Sequence, residues 1–344
     1  MRYAFLLNPA AQNHHAGRRR PALEAALRAE GVAFTLVETV APGHAERLAR
    51  EAAAEHDVVV AVGGDGTIHE VARGVFGTGA RMGVLPLGTG NDFAHAIGMP
   101  DDLGAAVRAL LAAEPVPVDV GRVRWQERAD GGAFATHEAL FTNCLGTGFD
   151  ALAARGAQRL KFLGGRTAYL AAVLRSLWLW RQPVATITLQ TAMEPEPVLA
   201  AAEVGGAAQA EPARLGLPPG EGEALHDGRF FLVEVGNGFS VGGGFLLTPD
   251  AVVDDGLLDV CLVDRVSTKR VLQVLPKAFT GAHVCEPEVT IRRARRVTIR
   301  SEAPLPVQAD GENLTVGARV IDVEVIPGAL SLLAPRIRRP ELHA

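Results

Sequence analysis

The sequence is poor in cysteine. Three cysteines, Cys144, Cys261 and Cys285, occur among 344 residues, and no two of them form a CxxC pair. An odd and scattered set favours neither a disulfide framework nor a cysteine-ligated zinc site. This usage fits a protein of the reducing cytosol, so we expect a cytoplasmic location.

The sequence also lacks an excess of positive charge and a long unbroken apolar run. Its 34 Lys and Arg residues face 39 Asp and Glu residues, a net charge of -5, which gives no general attraction to nucleic acid. The longest apolar stretch, 160–180, is interrupted by basic residues, which argues against a membrane span. We therefore expect a soluble protein that binds no nucleic acid and touches a membrane only at its surface.

The chain does have enough apolar residues, 48% of the total, to bury two cores. Over 1–125, short apolar strands alternate with alanine-rich helical segments, which indicates a parallel sheet covered by helices. Over 126–325, strand-like runs separated by Gly, Pro and Asp indicate an antiparallel β domain, interrupted by a helix at about 165–181. Segment 193–227 lacks periodicity and is predicted to be a mobile insertion between two strands, and 326–344 is predicted to return to the first domain.

A glycine-rich loop, Gly63-Gly64-Asp65-Gly66-Thr67, follows the predicted strand at 58–62 and precedes a predicted helix. Consecutive glycines let backbone amides point into one concavity, and the start of the helix adds partial positive charge, so the loop is suited to phosphate oxygens. A carboxylate at the centre of such a cradle implies a divalent cation, or a water that the cation holds, between Asp65 and the phosphate.

A second loop of the same kind, Pro86 to Asp92, follows the predicted strand at 82–85. One Gly-Gly pair alone can be a tight turn, but two acid-bearing glycine loops at adjacent strand ends favour a ligand site. Neither loop is the usual nucleotide fingerprint. His69 stands where GxGxxG needs its third glycine, and no GxxxxGK[ST] lies near either loop.

GGDGT after a strand, followed by PLGTGND, resembles the catalytic domain shared by diacylglycerol kinases, sphingosine kinases and bacterial lipid kinases, with distant similarity to NAD kinase and 6-phosphofructokinase. GGDG alone fits all of these. Further motifs favour the lipid branch, and they occur in the order of the family along nearly the whole chain. These motifs are Asn8-Pro9, Thr39 with Gly43-His44-Ala45, Val118-Asp119-Val120-Gly121, Gly148-Phe149-Asp150, Gly236-Asn237-Gly238, Gly242-Gly243-Gly244, Pro249-Asp250-Ala251, Asp255-Gly256-Leu257-Leu258-Asp259 and Asp310-Gly311-Glu312.

The resemblance implies an α/β nucleotide domain like that of NAD kinase and phosphofructokinase, followed by a second, mainly antiparallel β-sandwich domain that binds the lipid. It implies a lipid kinase that transfers the γ-phosphate of ATP to the hydroxyl of a lipid such as diacylglycerol, with ATP and Mg²⁺ as cofactors. The residues implied in nucleotide binding are Asn8, Thr39, Gly63, Gly64, Asp65, Gly66, Thr67, Gly88, Thr89, Asn91 and Asp92.

The same resemblance implies the metal ligands. A network of carboxylates, waters and Mg²⁺ would use Asp65, Asp92, Asp119 and Asp255. A structural metal position at the DGLLD turn would combine the Asp255 carboxylate with the backbone carbonyls of Val252 and Leu257. Such a layout agrees with the preference of Mg²⁺ for oxygen ligands and retained waters.

Phosphoryl transfer to an alcohol also needs a base near the attacking hydroxyl. The DGE motif supplies two candidates, Asp310 and Glu312, and the sequence does not distinguish between them. The alternative interpretation is an exposed Asp-Gly hairpin turn. His69 is expected to be a surface or packing residue of its helix.

The lipid and the membrane surface are the expected partners, and a homodimer is left open. Apolar residues recur at helical spacing between Tyr169 and Trp178, with basic residues around them. This helix either packs on the β domain or faces a membrane, and its two faces can do both. The arginines between 292 and 300 are either a solvated strand pair or a contact to anionic lipid.

Two other functions share the GGDGT motif. An NAD kinase or another small-molecule kinase would not predict DGLLD at 255–259 ahead of DGE at 310–312. A nucleotide-binding regulator without catalysis is the third hypothesis. The chain retains every acid that turnover needs, which argues against that interpretation.

Overall fold

The computed structural model describes residues 1–12, 14–128, 132–159, 172–178, 180–191 and 222–339. Within these ranges, no helix is both long enough and apolar enough to span a bilayer. The strands of the same ranges join into one 13-stranded network with a parallel and an antiparallel part.

The parallel part lies in the first third of the chain. Its strands are β1 (Tyr3–Leu7), β2 (Phe34–Glu38), β3 (Val58–Gly63) and β4 (Arg81–Pro86), in the order β4-β3-β1-β2. Every residue of β1 and β3 is buried, as expected for unbroken apolar strands inside a parallel sheet. The helices of this part are α1 (His15–Arg18), α2 (Arg20–Ala29), α3 (His44–Ala53), α4 (Asp65–Val75), α5 (Asp92–Ala96) and α6 (Leu103–Ala112).

The rest of the described chain is mainly antiparallel. Its strands are β5 (Pro115–Arg128), β6 (Phe134–Phe141), β7 (Cys144–Gly148), β8 (Val184–Gln190), β9 (Glu223–Gly236), β10 (Leu258–Asp264), β11 (Val289–Ala294), β12 (Arg296–Ala309) and β13 (Glu312–Leu333). Three helices, α7 (Phe149–Arg159), α8 (172–178) and α9 (Thr268–Val274), accompany them. The predicted fold class, an α/β nucleotide domain with a second, antiparallel β domain, is confirmed.

The long strand β13 connects the two parts. It runs antiparallel to β5 and β12 over most of its length, and near its end Leu332 pairs in parallel with Met82 of β4. The hairpin turn between β12 and β13 carries the DGE motif. This topology brings residues from the C-terminal third of the chain to the glycine loops at the ends of β3 and β4.

Two predicted segments differ from the structure. Residues 223–227, which the sequence placed in an insertion, form the start of β9, because β8 pairs with them in antiparallel register. The remainder, 193–221, lies outside the described residues. The helix predicted at about 165–181 is present as α8 at 172–178, whereas 180–183 are not helical and 165–171 and 179 lie outside the described residues.

Candidate active site

The two glycine loops lie in contact with each other. The Leu87 amide donates to the Gly63 carbonyl at 2.7 Å, which places the ends of β3 and β4 side by side. A Cβ atom on Gly88 would lie 2.3 Å from Gly64 Cα, so only glycine allows this approach. The prediction that both loops lie at one edge of the sheet is therefore confirmed.

The Asp65 carboxylate holds the second loop in place. Its Oδ2 accepts a hydrogen bond from the Asn91 amide at 2.9 Å, and its Oδ1 accepts one from the Phe93 amide at 3.3 Å. Asn91 itself adopts a left-handed conformation with φ 56°, and its Oδ1 accepts from the Gly88 amide at 2.9 Å. The carboxylate at the centre of the first loop thus fixes the shape of the second.

The other residues implied in nucleotide binding surround these loops. Asn8 follows β1, and its side-chain amide donates to Thr67 Oγ1 at 3.0 Å. Thr39 follows β2 and is buried, with its amide donating to the Leu7 carbonyl at 2.8 Å. Gly66 and Thr89 are exposed. The structure therefore gathers the implied set along the carboxyl ends of neighbouring parallel strands, where ligands of such sheets bind.

Asp92 connects the first domain to the second. Its buried carboxylate accepts a hydrogen bond from Ser240 Oγ at 2.8 Å and another from the Gly243 amide, also at 2.8 Å. The glycines at 242–244 all have positive φ, which lets their backbone turn towards Asp92. The three glycines form a tight turn, which Val241 and Phe245 close through hydrogen bonds between their backbones.

Asp119 and Asp255 lie together at the DGLLD turn. The buried Asp119 carboxylate accepts from the Gly256 amide at 2.7 Å and from the Gly328 amide at 2.8 Å. Asp255 Oδ1 accepts from the Leu257 amide at 3.0 Å. Val252, the other implied carbonyl donor, is buried beside this turn. Burial raises the pKa values of both carboxyl groups above their usual range.

The four implied metal ligands thus form two pairs, Asp65 with Asp92 and Asp119 with Asp255. Burial, and then the negative charge of Asp92, raises the pKa of Asp65 to about 6. Within the described ranges, no group of three or more His, Cys, Asp or Glu side chains is placed to hold a metal. The donors fit Mg²⁺ nevertheless, because this ion commonly takes one or two protein carboxylates and completes its shell with water and phosphate oxygens.

The Asp310 carboxylate is fully engaged by hydrogen bonds. Oδ2 accepts from the Thr142 amide at 2.7 Å, the Thr142 hydroxyl at 2.9 Å and His69 Nδ1 at 2.7 Å. Oδ1 accepts from the amides of Asn143 at 3.0 Å and Cys144 at 2.8 Å. Burial alone would raise the pKa of Asp310, but His69 and the amides outweigh it and lower the pKa. Such a carboxylate is a poor proton acceptor.

Glu312, two residues further on, has a different environment. Its side chain is 41% exposed, and its Oε2 lies 3.5 Å from Arg73 Nη1 and 3.8 Å from His69 Nε2. The expectation that His69 is a surface or packing residue of its helix accounts for its burial but not for its hydrogen bond to Asp310. His69 is buried and joins the DGE turn to α4, because the β12–β13 hairpin places Asp310 against its ring.

Comparison with known proteins agrees with this geometry. The diacylglycerol kinase catalytic domain model matches residues 2–123, and the YegS C-terminal NAD kinase beta sandwich-like domain model matches residues 143–334. A Mycobacterium tuberculosis protein named diacylglycerol kinase is 31% identical over 291 residues, which cover 84% of this chain and 80% of that protein. This chain belongs to the diacylglycerol kinase and YegS-like lipid kinase family.

Other family members extend the comparison. A Pseudomonas aeruginosa protein named "Probable lipid kinase YegS-like" is 32% identical over 315 residues, which cover 90% of this chain and 88% of that protein. A solved structure of a diacylglycerol kinase from Bacillus anthracis has a TM-score of 0.61 at 20% identity and covers 97% of this chain and 96% of its own. The lipid kinase fold therefore extends over both domains.

Sequence reasoning missed three contributors to this lipid kinase site. Ser240, Thr142 and His69 were not predicted, although each donates to an implied acid. A signal existed for His69, because it follows Asp65 by four residues on the same helix and so shares its face. No comparable signal existed for Ser240 and Thr142, since their partners are 148 and 168 residues away.

We predict that Gly88→Ala destabilises the fold, whereas Gly66→Ala does not. A Cβ on Gly88 meets Gly64 Cα at 2.3 Å, which must push the loops apart at a cost of about 3 kcal/mol. A Cβ on Gly66 has nothing within 4 Å and favours the first turn of α4 by up to about 1 kcal/mol. Denaturant unfolding of both variants checks this, and equal stabilities would contradict the close approach of the loops.

We predict that Asp65→Asn changes the pH dependence of stability. Because folding raises the pKa of Asp65 from 3.8 to about 6, protonated Asp65 favours the folded state and that stabilisation is lost as the pH rises through this range. The unfolding free energy of the wild type, relative to that of Asp65→Asn, should therefore fall by about 1 to 3 kcal/mol between pH 4 and pH 7. Denaturant titrations in chelator, without nucleotide, measure it.

Asp57→Asn is the matched control for that experiment. The backbone amide of Arg2 is the largest cause that lowers the pKa of the exposed Asp57, so ionised Asp57 stabilises the folded state. Because the pKa of Asp57 is lowered from 3.8, its stabilisation is lost as the pH falls below about 4, and the titrations must extend to about pH 3. Over that range the unfolding free energy of the wild type, relative to that of Asp57→Asn, should rise with pH, opposite in sign to the change for Asp65→Asn. Two shifts of the same sign would contradict the assignment of Asp65 as an acid whose pKa is raised by burial.

Proposed function

We propose that this protein is an ATP- and Mg²⁺-dependent kinase that transfers the γ-phosphate of ATP to a hydroxyl group of a lipid such as diacylglycerol. The observation that carries the proposal is the 2.7 Å contact between His69 and Asp310. It joins the helix that starts at the first glycine loop to the DGE turn of the other domain. A phosphate cradle and a base candidate from distant parts of the chain are thus brought to one place.

The nucleotide would bind across the two glycine loops. Amides of Gly64 to Gly66 at the start of α4 would meet the phosphate oxygens, where the partial positive charge of the helix favours anions. The Thr67 amide already donates to the Gly64 carbonyl. Exposed Gly66 and Thr89 leave the loops accessible. Thr39 and Asn8, at the ends of β2 and β1, would border the same nucleotide.

Asp65 and Asp92 would hold Mg²⁺ together with phosphate oxygens and water. The raised pKa of Asp65, caused by burial and by the charge of Asp92, reflects negative charge that the protein itself leaves uncompensated. A bound cation supplies neutralisation of the phosphate charge during transfer. Asp119, Asp255 and the carbonyls of Val252 and Leu257 would form the structural metal position at the DGLLD turn.

Glu312 is the proposed base, and Asp310 anchors its turn. A base needs a free lone pair and access to the substrate, and the half-exposed Glu312 has both. As the lipid hydroxyl oxygen bonds to the γ-phosphorus, its proton passes to the Glu312 carboxylate. The bond from the γ-phosphorus to the bridging oxygen breaks, and its electron pair stays with ADP.

The lipid would be reached at a membrane surface. Trp178 and Leu174 of α8 are 87% and 44% exposed, and Leu272 of the neighbouring α9 is 48% exposed. Val173 and Leu177, on the other face of α8, share a buried cluster with Val271 of α9. Exposed basic residues around both helices, Arg175, Arg181, Arg265 and Lys269, would meet anionic headgroups.

We therefore propose a transient contact between these helices and the inner surface of the cytoplasmic membrane. Basic and aromatic side chains beside exposed apolar residues are the chemistry of interfacial binding. Arg296 is not part of this surface, because it pairs with the buried Asp322. Likewise, Arg293 lies 3.2 Å from Asp259.

The function is tested by incubating the protein with labelled ATP, Mg²⁺ and extracted lipids, in parallel with NAD and fructose 6-phosphate. Label in a lipid, separated by thin-layer chromatography, is the expected result. Label only in the water-soluble acceptors would replace the lipid assignment by the small-molecule kinase. No transfer to any acceptor, with nucleotide binding retained, would support the regulator.

We predict that Glu312→Gln lowers kcat by about 100-fold or more while the fold remains stable, because a half-exposed base is removed without loss of packing. Asp310→Asn should lose activity and also stability, by about 2 to 4 kcal/mol, because five hydrogen bonds converge on that carboxylate. Steady-state kinetics and thermal unfolding distinguish the two. Wild-type turnover in Glu312→Gln would contradict the assignment of the base.

We predict that Trp178→Ala reduces binding to vesicles that contain phosphatidylglycerol by about 5-fold or more, because the indole no longer enters the interface. Phe134→Ala is the matched control, since Phe134 on β6 is also a large exposed side chain, at 54%. Cosedimentation with vesicles measures both. Equal losses in the two variants, or none in Trp178→Ala, would contradict the proposed membrane surface.

A further inference from the structure

His69 occupies an unusual position between the two acids of the DGE turn. Its side chain is 2% exposed, and its two ring nitrogens face different partners. Nδ1 lies 2.7 Å from Asp310 Oδ2, while Nε2 lies 3.3 Å from Arg73 Nη1 and 3.8 Å from Glu312 Oε2. The ring therefore touches the anchor of the turn on one side and approaches the proposed base on the other.

The partners determine where the proton of a neutral His69 resides. An ionised carboxylate only accepts hydrogen bonds, so Nδ1 carries the hydrogen towards Asp310. A guanidinium only donates, so Nε2 presents its lone pair to Arg73. This tautomer satisfies both contacts at once and leaves Glu312 without a hydrogen bond from the ring.

A protonated His69 would reverse this arrangement. Both ring nitrogens then donate, and Nε2–H can no longer accept from Arg73. Arg73 is held in place by an ion pair with Glu46 of α3, so it cannot easily turn away. The nearest acceptor for Nε2–H is then Glu312 Oε2, at 3.8 Å in this structure.

Among the residues that the structure describes, four charged groups face His69, directly or through a neighbour. They are Asp310 from the turn, Glu312 from β13, Arg73 from α4 and, through Arg73, Glu46 from α3. The crevice that His69 and Arg73 border is otherwise lined by Thr142 and by apolar side chains, which are Ala72, Phe76, Val120, Leu140 and Phe141. Water has little access to the ring itself, whereas the Glu312 side chain is 41% exposed, so the effect of the ring charge on Glu312 depends on their separation of 3.8 Å.

We propose that His69 is a positioning residue for the base, and that its protonation state decides how strongly Glu312 is held. With a neutral ring, the Glu312 carboxylate keeps its 3.5 Å contact with Arg73 and can exchange that exposed contact for the lipid hydroxyl. With a charged ring, a second ion pair holds the carboxylate against α4. This inference rests on the proposed function, because it takes Glu312 to be the base of the kinase reaction.

The consequence is a loss of activity in acid that depends on His69. Histidine is the side chain that most readily changes its charge near neutral pH. As the pH falls, turnover declines because the charged ring holds the Glu312 carboxylate against α4. Substrate binding at the glycine loops is not affected by the same change, so kcat should fall more than KM rises.

His69→Asn is the decisive variant. The asparagine amide can still donate to Asp310, but it does not titrate and does not reach Glu312. We expect wild-type kcat to fall several-fold more than kcat of His69→Asn between pH 8 and pH 5.5. His69→Ala, which loses the bond to Asp310, should be less stable than either. If the kcat profiles of wild type and His69→Asn coincide, His69 has only a structural role and the proposal is overturned.

A measurement without turnover provides the second test. In protein labelled at histidine, NMR follows the ring of His69 during a pH titration, with His69→Asn to assign the signal. Glu312→Gln removes the negative charge nearest to Nε2 and should move the His69 titration to lower pH, whereas Glu138→Gln, an exposed carboxylate of β6, should leave it unchanged. An unmoved titration in Glu312→Gln would overturn the coupling.

The two proposals fail in different ways. Full activity in Glu312→Gln would show that Glu312 is not the base, and this part of the proposed function would be rejected. An inactive Glu312→Gln, combined with coincident pH profiles and an unmoved His69 titration, would leave the lipid kinase intact and remove only the role of His69.

Discussion

The carboxylate of Asp310 is the contact on which the arrangement of the site depends. It accepts hydrogen bonds from three consecutive residues after β6 and from a histidine of α4, 241 positions earlier in the chain. Asp310 also has φ 46°, a left-handed conformation that a non-glycine residue adopts only when its surroundings stabilise it. The bonds to its own side chain provide that stabilisation. The turn, the helix and the end of β6 are therefore fixed relative to one another.

The other acidic residues of the lipid kinase site also accept hydrogen bonds from backbone amides. Asp92 accepts from the Gly243 amide, Asp119 accepts from Gly256 and Gly328, and Asp65 accepts from Asn91 and Phe93. Backbone amides of a distant segment thus take the place of water as hydrogen-bond donors to each carboxylate. A buried acid with such partners can stay ionised, and a site that concentrates these acids becomes a place where a cation is stabilising.

Local signals made the glycine loops predictable. Strand, glycine pair, acid and helix all lie within ten residues, so a sequence pattern specifies the turn and its exposed amides. The pairing of β9 from residue 223 was not predictable in the same way, because Glu223 to Asp227 gain their strand conformation from β8, across a gap of more than thirty residues. The same limit applies to Asp92 with Ser240, a contact that depends on how the two domains meet. It also applies to Asp310 with Thr142, a contact that depends on the pairing of β12 with β7 inside the second domain.

The division of roles within the DGE motif follows from this dependence. Sequence alone presents Asp310 and Glu312 as equivalent acids, since either could accept a proton. The fold makes them different, because a residue that holds three segments together has no lone pair to spare, whereas Glu312, at the start of β13, keeps an exposed face. A single turn thus combines a fully hydrogen-bonded acid with an exposed one, and the buried imidazole of His69 contacts the first and approaches the second. Because Asp310 holds one side of the ring in place, the charge of the ring would act on Glu312 at the other side.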